Sequence, residues 1–340
     1  MKILLVSYTF RPTVGGIETV SRLLADQWHK VGHHVIVVTQ TPSENAEECP
    51  YEIVRCPNPV RLLSLTNWAD IFFQNNISLR FAWPLLVRKK PFFITHQTWL
   101  SHDRDQSHYI VRIKRVVAKH AKNIAISKAI HDDLNVAGTD ILPNPYDEGI
   151  FFESSTNTSR EHDFLFVGRL VSDKGVDIFI HALGELHAHG LSFKASIVGD
   201  GAIRQEAEEL VNALGLNKAI RFLGALYGHP LADCYRSHRI LVVPSRWNEP
   251  FGIVAVEGIA CGCFVIGSSG GGLPEAIGPC GVTFPNGNVK DLTALLSRLV
   301  TNPLSAIGIQ DSKKDHLFQM SVQHVASSYV EKFKFALANA

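Results

Sequence analysis

The sequence predicts an α/β protein of two Rossmann-like parallel-sheet domains, and three observations carry the prediction. Short, nearly uninterrupted apolar runs recur along the chain with helical patterns between them, as strands buried on both faces of a parallel sheet require. The alternation stops once, at the polar linker Ser154 to Arg160, and then restarts. With 340 residues and 46% hydrophobic content, the chain is long enough for two cores.

The elements follow in order. Lys2 to Ser7 reads as a buried strand, Ile17 to Lys30 as an amphipathic helix closed by Gly32, and Val35 to Thr39 as a second strand, which makes a βαβ start. Further strands are expected at Ile71-Phe72-Phe73, Phe92-Phe93-Ile94, Ile124-Ala125-Ile126 and Ile141-Leu142. Beyond the linker they fall at Phe164 to Val167, Lys194 to Val198, Ile220 to Leu223, Ile240 to Val243, Phe264 to Ile266 and Val282 to Phe284. Helices over Gly175 to His189, Ala202 to Leu214 and Ile253 to Ala260 lie between them, and His316 to Ala338 is one more helical pattern with no strand left to feed. The domains are expected at 1–155 and 160–315 with a cleft between them, and 316–340 as a helix crossing back to the first.

Composition excludes several classes. A formal net charge of +1 gives no basis for nucleic-acid binding, which needs a basic excess. The apolar run at the N-terminus is too short for a signal peptide, and no stretch reaches a membrane span, so a cytoplasmic location is expected. Six scattered cysteines lack zinc-site spacing and read as reduced thiols. Asp103-Arg104-Asp105 has the form of an Asp-x-Asp cation motif but sits in a polar stretch, not at a strand end, so no metal role is assigned to it. No Gly-x-Gly-x-x-Gly follows the first strand, against a nicotinamide dehydrogenase.

Ligands of open α/β sheets gather beyond the carboxyl ends of the strands. There the chain places Tyr8 to Gly16, His96, Gly168-Arg169, Gly199-Asp200-Gly201 and Ser245 to Glu249. The most informative run is Glu249-Pro250-Phe251-Gly252-Ile253-Val254-Ala255-Val256-Glu257, in which two carboxylates flank the opening of a helix. Amides near Phe251, Gly252 and Ile253 can cradle a diphosphate, since a helix N-terminus carries unpaired N–H groups and about half a positive charge. The glutamates then meet hydroxyls on either side of that anion.

The second half resembles the retaining GT-B glycosyltransferases of family four (glycosyl transferases group 1). The resemblance rests on Val167-Gly168-Arg169-Leu170 with Lys174-Gly175, Val198-Gly199-Asp200-Gly201, Phe222-Leu223-Gly224, Pro244-Ser245 with the Glu249 to Glu257 motif, and Gly271-Gly272-Leu273-Pro274-Glu275. The first half is similar through Gly15-Gly16-Ile17-Glu18, Thr95-His96, Ile126-Ser127-Lys128 and Leu142-Pro143-Asn144, with Pro145 where that family commonly has glycine. The resemblance implies a metal-independent transferase with no cofactor, whose donor is a UDP- or GDP-sugar. Domain closure would assemble its site.

Arg169 and Lys174 suit a departing diphosphate, arginine as a fork and lysine as a point charge. Eight positions mostly along a helix hold the backbones of Glu249 and Glu257 roughly 10 Å apart, too far for a retaining glycosidase pair at about 5 to 5.5 Å. By resemblance, Glu249 holds hydroxyls of the transferred sugar, Glu257 the ribose, and His96 contacts the sugar or assists the reacting centre. Gly15 and Gly16 open the first helix and can approach donor phosphate or acceptor, while Glu18 serves the acceptor or merely favours the helix N-terminus. Catalytic candidates are thus His96, Arg169, Lys174 and Glu249. Donor binding falls to Gly16, Gly199, Gly201, Phe251, Gly252, Ile253 and Glu257, and acceptor binding to Gly15 and Glu18.

Basic residues accumulate from Arg80 to Lys122, interleaved with Tyr109, Ile110, Val111, Ile113, Val116 and Val117. Such a helix either packs on its own sheet or rests on an anionic leaflet, the inner face of the plasma membrane, within reach of a lipid-linked acceptor. A nucleotide-sugar epimerase, a sugar phosphorylase and a non-catalytic nucleotide-sugar-binding subunit are the alternatives on the same fold. Polysaccharide or lipopolysaccharide synthesis is the expected setting.

Overall fold

The computed structural model describes residues 1–13, 15–43, 49–100, 108–154, 160–301 and 310–339. Contacts divide the chain into two compact units, Met1–Tyr146 with Gln319–Ala340, and Asp147–Phe318. The elements run β1 (Lys2–Val6), α1 (Gly16–Lys30), β2 (His34–Thr39), β3 (Glu52–Arg55), α2 (Pro59–Trp68), β4 (Ile71–Asn75), α3 (Leu79–Ala82), β5 (Phe92–His96), α4 (His108–Lys119), β6 (Lys122–Ala125), α5 (Lys128–Leu134) and β7 (Asp140–Ile141). They continue with β8 (His162–Val167), α6 (Val176–Ala188), β9 (Ala195–Val198), α7 (Arg204–Ala213), β10 (Ile220–Gly224), α8 (Gly228–Ser237), β11 (His238–Val243), α9 (Ile253–Ala260), β12 (Phe264–Ser268), α10 (Leu273–Ile277), β13 (Gly281–Phe284), α11 (Val289–Thr301), α12 (Gln310–Gln319) and α13 (Val322–Ala338).

The first unit is a seven-stranded parallel sheet in the order β3-β2-β1-β4-β5-β6-β7. Helix α1 buries Val20, Leu23, Leu24 and Trp28, the three- and four-residue spacing of one apolar stripe. Trp28 packs edge-on to Phe73 and Phe333, and its indole N–H donates to the Ala326 carbonyl at 3.1 Å, so α13 is locked to α1 by packing and one directed bond. Each fully buried ring contributes about 2–3 kcal/mol, and Phe333→Ala would cost about 3–5 kcal/mol.

The second unit is a six-stranded parallel sheet in the order β10-β9-β8-β11-β12-β13. Its core joins Phe164, Phe166, Ile197, Ile240 and Val242 of the sheet to Ile178, Phe179 and Leu183 of α6. Strand order reverses between β8 and β11, so the crevice beyond their carboxyl ends is where such a sheet binds ligands.

Two departures from the sequence reading have local causes. The single helical pattern over 316–338 is two helices, because Ser321 caps α13 by accepting the His324 N–H at 3.2 Å and the Met320 carbonyl turns out to meet the Tyr146 N–H at 3.1 Å. Strand β3, absent from that reading, is a short edge strand that is nowhere fully buried, so it lacks the apolar run of its neighbours. Among the described residues no helix is long and apolar enough to cross a membrane.

Candidate functional site

The chain from Pro244 to Gly252 leaves β11 at the switch point and turns into α9. Lys174 Nζ donates to Glu249 Oε1 at 2.6 Å, and Ser245 Oγ donates to the same oxygen at 2.6 Å. The pair is mostly withdrawn from water, with side chains 26% and 11% exposed, so the ion pair is held in a medium that strengthens it.

The backbone around this pair is braced from three sides. The N–H groups of Arg246 and Trp247 donate to the Asp173 carbonyl at 2.9 and 3.2 Å, next to Lys174. The Arg246 guanidinium grips both oxygens of Asp177 at the start of α6. The Glu249 carbonyl accepts the Gly272 N–H at 2.7 Å, which fixes the glutamate to the loop before α10.

Gly252 adopts φ +112°, and a Cβ there would lie 2.5 Å from Leu273 Cδ1, so only glycine fits. As the cap of α9, Gly252 makes no side-chain hydrogen bond to the first turn, and a helix N-terminus of this kind can receive an anion. Phe251 is buried beneath the turn and Ile253 is partly buried. Arg169 follows β8 with its guanidinium exposed and, among the described residues, without a side-chain partner. Gly199 follows β9 against the Gly168 carbonyl, which would lie 1.8 Å from an added Cβ, while the Gly201 N–H bonds Asp200 Oδ1 at 2.8 Å.

Glu257, on α9, is 8% exposed. Burial pushes its carboxyl up to about 8, and the hydrogen bond from the Tyr235 hydroxyl to Oε2 at 3.3 Å opposes that rise. No Lys, Arg or His pairs with it among the described residues.

In the first unit, His96 ends β5 and is buried. Burial brings its imidazole down to about 4, partly countered by Asn123. Asn123 donates Nδ2 to the carbonyls of Ala118 and Ala121, so its Oδ1 at 2.9 Å accepts from His96 Nε2–H and the neutral ring keeps Nδ1 as an acceptor. Gly15 precedes α1, Gly16 is exposed, and the Glu18 carboxylate folds back over Gly15.

The structure thus brings Lys174, from the turn after β8, into contact with Glu249, whose loop carries Phe251 and Gly252 and leads into α9 with Ile253 and Glu257. His96, Gly15, Gly16 and Glu18 belong to the other unit. Asp103, Arg104 and Asp105 lie outside the described residues.

Sequence reasoning marked Ser245 to Glu249 by position but gave Ser245 and Arg246 no role, and it passed over Tyr235. It also missed a buried amide relay at the first sheet's carboxyl end. Asn75 Nδ2 donates to the Ile17 carbonyl (3.1 Å) and Ser21 Oγ (2.7 Å), and Gln97 Nε2 donates to Asn75 Oδ1 (2.8 Å) and Asn144 Oδ1 (2.9 Å). The available signal was polar amides closing apolar strands, since β4 and β5 run directly into Asn75 and Gln97.

Two parallel sheets of this kind, with an ion pair and a glycine-opened helix at the second switch point, define a two-domain α/β protein with a candidate site at that point. The chain belongs to the glycosyl transferases group 1 family, whose model matches residues 147–333, and it is a glycosyltransferase of GT-B fold. It is 27% identical to the glycosyltransferase MJ1607 of Methanocaldococcus jannaschii, with 99% of each chain covered. It is 32% identical to the D-inositol 3-phosphate glycosyltransferase of Rhodococcus opacus over 53% of this chain and 42% of that protein. Among solved structures, Anabaena Alr3699/HepE in complex with UDP and glucose superposes with a TM-score of 0.82 at 19% identity, covering 98% of this chain and 99% of that one. WaaG, a glycosyltransferase involved in lipopolysaccharide biosynthesis, superposes with a TM-score of 0.71 at 17% identity, over 97% and 99% of the two chains.

Proposed function

We propose that the protein transfers a hexose-type sugar from a UDP- or GDP-sugar to a glycan or lipid-linked acceptor, with retention at the anomeric carbon and without a metal ion. The observation that carries this reading is the Lys174–Glu249–Ser245 cluster at the second sheet's switch point, three residues before the glycine that opens α9. The UDP and glucose held by the Anabaena neighbour support a nucleotide-sugar donor.

In the proposed reaction the anomeric C–O bond breaks and its electron pair leaves on the diphosphate. The acceptor oxygen bonds the anomeric carbon from the same face, and its proton passes to an oxygen of the leaving group. Arg169, Lys174 and the first turn of α9 meet the charge that grows there, and one such fixed donor is worth about 3–4 kcal/mol of barrier. Glu249, held by Lys174 and Ser245, accepts from hydroxyls of the transferred sugar, and Glu257 accepts from the ribose. Gly199 and Gly201 let backbone approach the donor. The first unit is assigned to the acceptor, through Gly15, Gly16 and Glu18, and His96 to contact with the sugar or assistance at the reacting centre.

We assign the acceptor to polysaccharide or lipopolysaccharide assembly at the inner face of the plasma membrane, with the protein peripheral to it. Helix α4 supports this assignment. Ala118 of α4 is buried and Val111 packs on the core, while Tyr109, Arg112, Val116 and Lys119 recur at helical spacing on the opposite face, Tyr109 being 72% exposed.

The test is to incubate the protein with UDP-, GDP- and ADP-sugars, with and without oligosaccharide acceptor, and follow nucleoside diphosphate release. A transferase releases it, faster with acceptor. A binding subunit releases none, and an epimerase converts the sugar without releasing nucleotide. Flotation with vesicles rich in acidic lipid tests the location, and binding indifferent to lipid charge and salt refutes it.

A further inference from the structure

We infer that Tyr235 is the positioning residue of the nucleoside subsite: its buried phenol holds one oxygen of Glu257 and thereby turns the other toward the ribose hydroxyls. The inference rests on the reading of Glu257 as the ribose acceptor and deepens it. Tyr235 lies in the last turn of α8, is fully buried, and donates to Glu257 Oε2 at 3.3 Å across the α8–α9 contact. A phenol has one proton to give.

The ring itself has little freedom. Phe151 meets it edge-on at 6.0 Å between centroids. Its backbone carbonyl accepts from Arg160 Nη1 at 3.3 Å and from the Cys263 thiol at 3.2 Å. The same guanidinium donates to the carbonyls of His238 at 2.5 Å and Cys261 at 2.7 Å, so one arginine ties the end of α8, the start of β11 and the end of α9 together. The donor and its acceptor carboxyl therefore sit on helices whose mutual placement is fixed by backbone contacts, which a side chain 22 positions away in sequence could not otherwise guarantee.

The groups that face Glu257 are Tyr235 from α8, Asp147 from the start of the unit and Cys261 from its own helix. None is a cation. Hydroxyl donors from a bound ribose are thus the natural complement of the oxygen that Tyr235 leaves open. The 3.3 Å separation is longer than the 2.5–2.7 Å of a charge-assisted O–H···O⁻ bond.

The test uses the full chain and its Tyr235→Phe and Glu257→Ala variants, with Tyr235→Met as a second variant should the first fold poorly. Calorimetry measures the affinity for UDP, GDP and ADP and for their 2′,3′-dideoxy forms, and steady-state kinetics separates donor KM from kcat. Tyr235→Phe should weaken the ribonucleotide by about five- to tenfold, raise donor KM with kcat little changed, and leave the dideoxy form unaffected. A merely structural role would weaken both nucleotide forms alike. If Glu257→Ala reduces the ribose-to-dideoxy ratio while Tyr235→Phe does not, the positioning role is overturned and the ribose assignment stands. If Glu257→Ala leaves that ratio unchanged, or the wild type binds none of the nucleotides, the ribose assignment itself falls and takes the inference with it.

Discussion

Replacing Glu257 with glutamine should make the protein's stability less dependent on pH. Burial holds this carboxyl at about 8 in the folded protein against an ordinary 4.5. Between those values the folded protein keeps a proton that the unfolded chain gives up, so the folded state binds more protons and its stability falls as pH rises. The contribution is fully present below about pH 4.5 and is lost as pH climbs through 8. At about 1.4 kcal/mol per unit, the loss between pH 5 and pH 9 integrates to about 4 kcal/mol, a large share of the 5–15 kcal/mol that holds a typical domain together. A glutamine at 257 has nearly the shape of the neutral acid and does not titrate. Urea unfolding of wild type and E257Q at the two pH values isolates the effect, because every other titrating group cancels in the difference between the proteins. The variant should match or trail the wild type near pH 5 and exceed it by several kcal/mol near pH 9. A difference that is the same at both pH values would mean that Glu257 ionises as it does in water, and the argument from its burial would fail.

Other outcomes follow from the same geometry. Lys174→Ala leaves Glu249 with Ser245 alone in a largely buried setting, so it should cost about 2 kcal/mol of stability and slow sugar transfer about 100-fold or more; denaturation and nucleotide-release assays check both. Gly252→Ala forces a Cβ toward Leu273 at φ +112°, and should lower stability by about 2–3 kcal/mol in a thermal melt. Asn75→Asp replaces the donor to the Ile17 carbonyl and Ser21 with an oxygen, for a loss of about 2–3 kcal/mol that shrinks in acid as the new carboxyl protonates. Arg112→Glu with Lys119→Glu should abolish flotation with acidic vesicles, each position counting for about 1 kcal/mol or more; unchanged flotation would remove α4 from the membrane reading.

The strands were legible where burial on both faces demands uninterrupted apolar residues, as in Ile71 to Phe73 and Ile240 to Val243. Edge strand β3 was not, because its exposed face lifts that demand. The break between α12 and α13 was hidden in a continuous helical pattern, since the Ser321 cap and the bond from the Tyr146 N–H to the Met320 carbonyl that mark it show only in the folded chain. Candidate residues were legible by their position at strand ends. Their partnerships were not: Lys174 and Glu249 are 75 positions apart, and only the parallel pairing of β8 with β11 brings their loops together. His96 reads as a residue at a strand end, and its neutral, acceptor-bearing state depends on an asparagine 27 positions on whose own amide is pinned by two carbonyls.

The Lys174–Glu249 pair also bears on how the proposed leaving-group site can be both ready and selective. A lysine free in solvent would have to shed water and freeze its chain when the donor arrives, whereas here Glu249, Ser245 and the braced Arg246–Trp247 backbone have already fixed it. An ammonium carries three protons, so Lys174 can keep its bond to Glu249 and still give another to a phosphate oxygen. As charge moves onto the diphosphate, that second bond strengthens without any group having to reorganise, which is how a preset donor favours the transition state over the ground state. Arginine in its place would keep the charge but replace a compact donor by a longer planar fork whose N–H groups would have to meet Glu249 and the phosphate from other positions. Lys174→Arg should therefore retain most of the fold's stability while losing rate, and a variant that kept full rate would show that charge alone, not the shared geometry, is what the site requires.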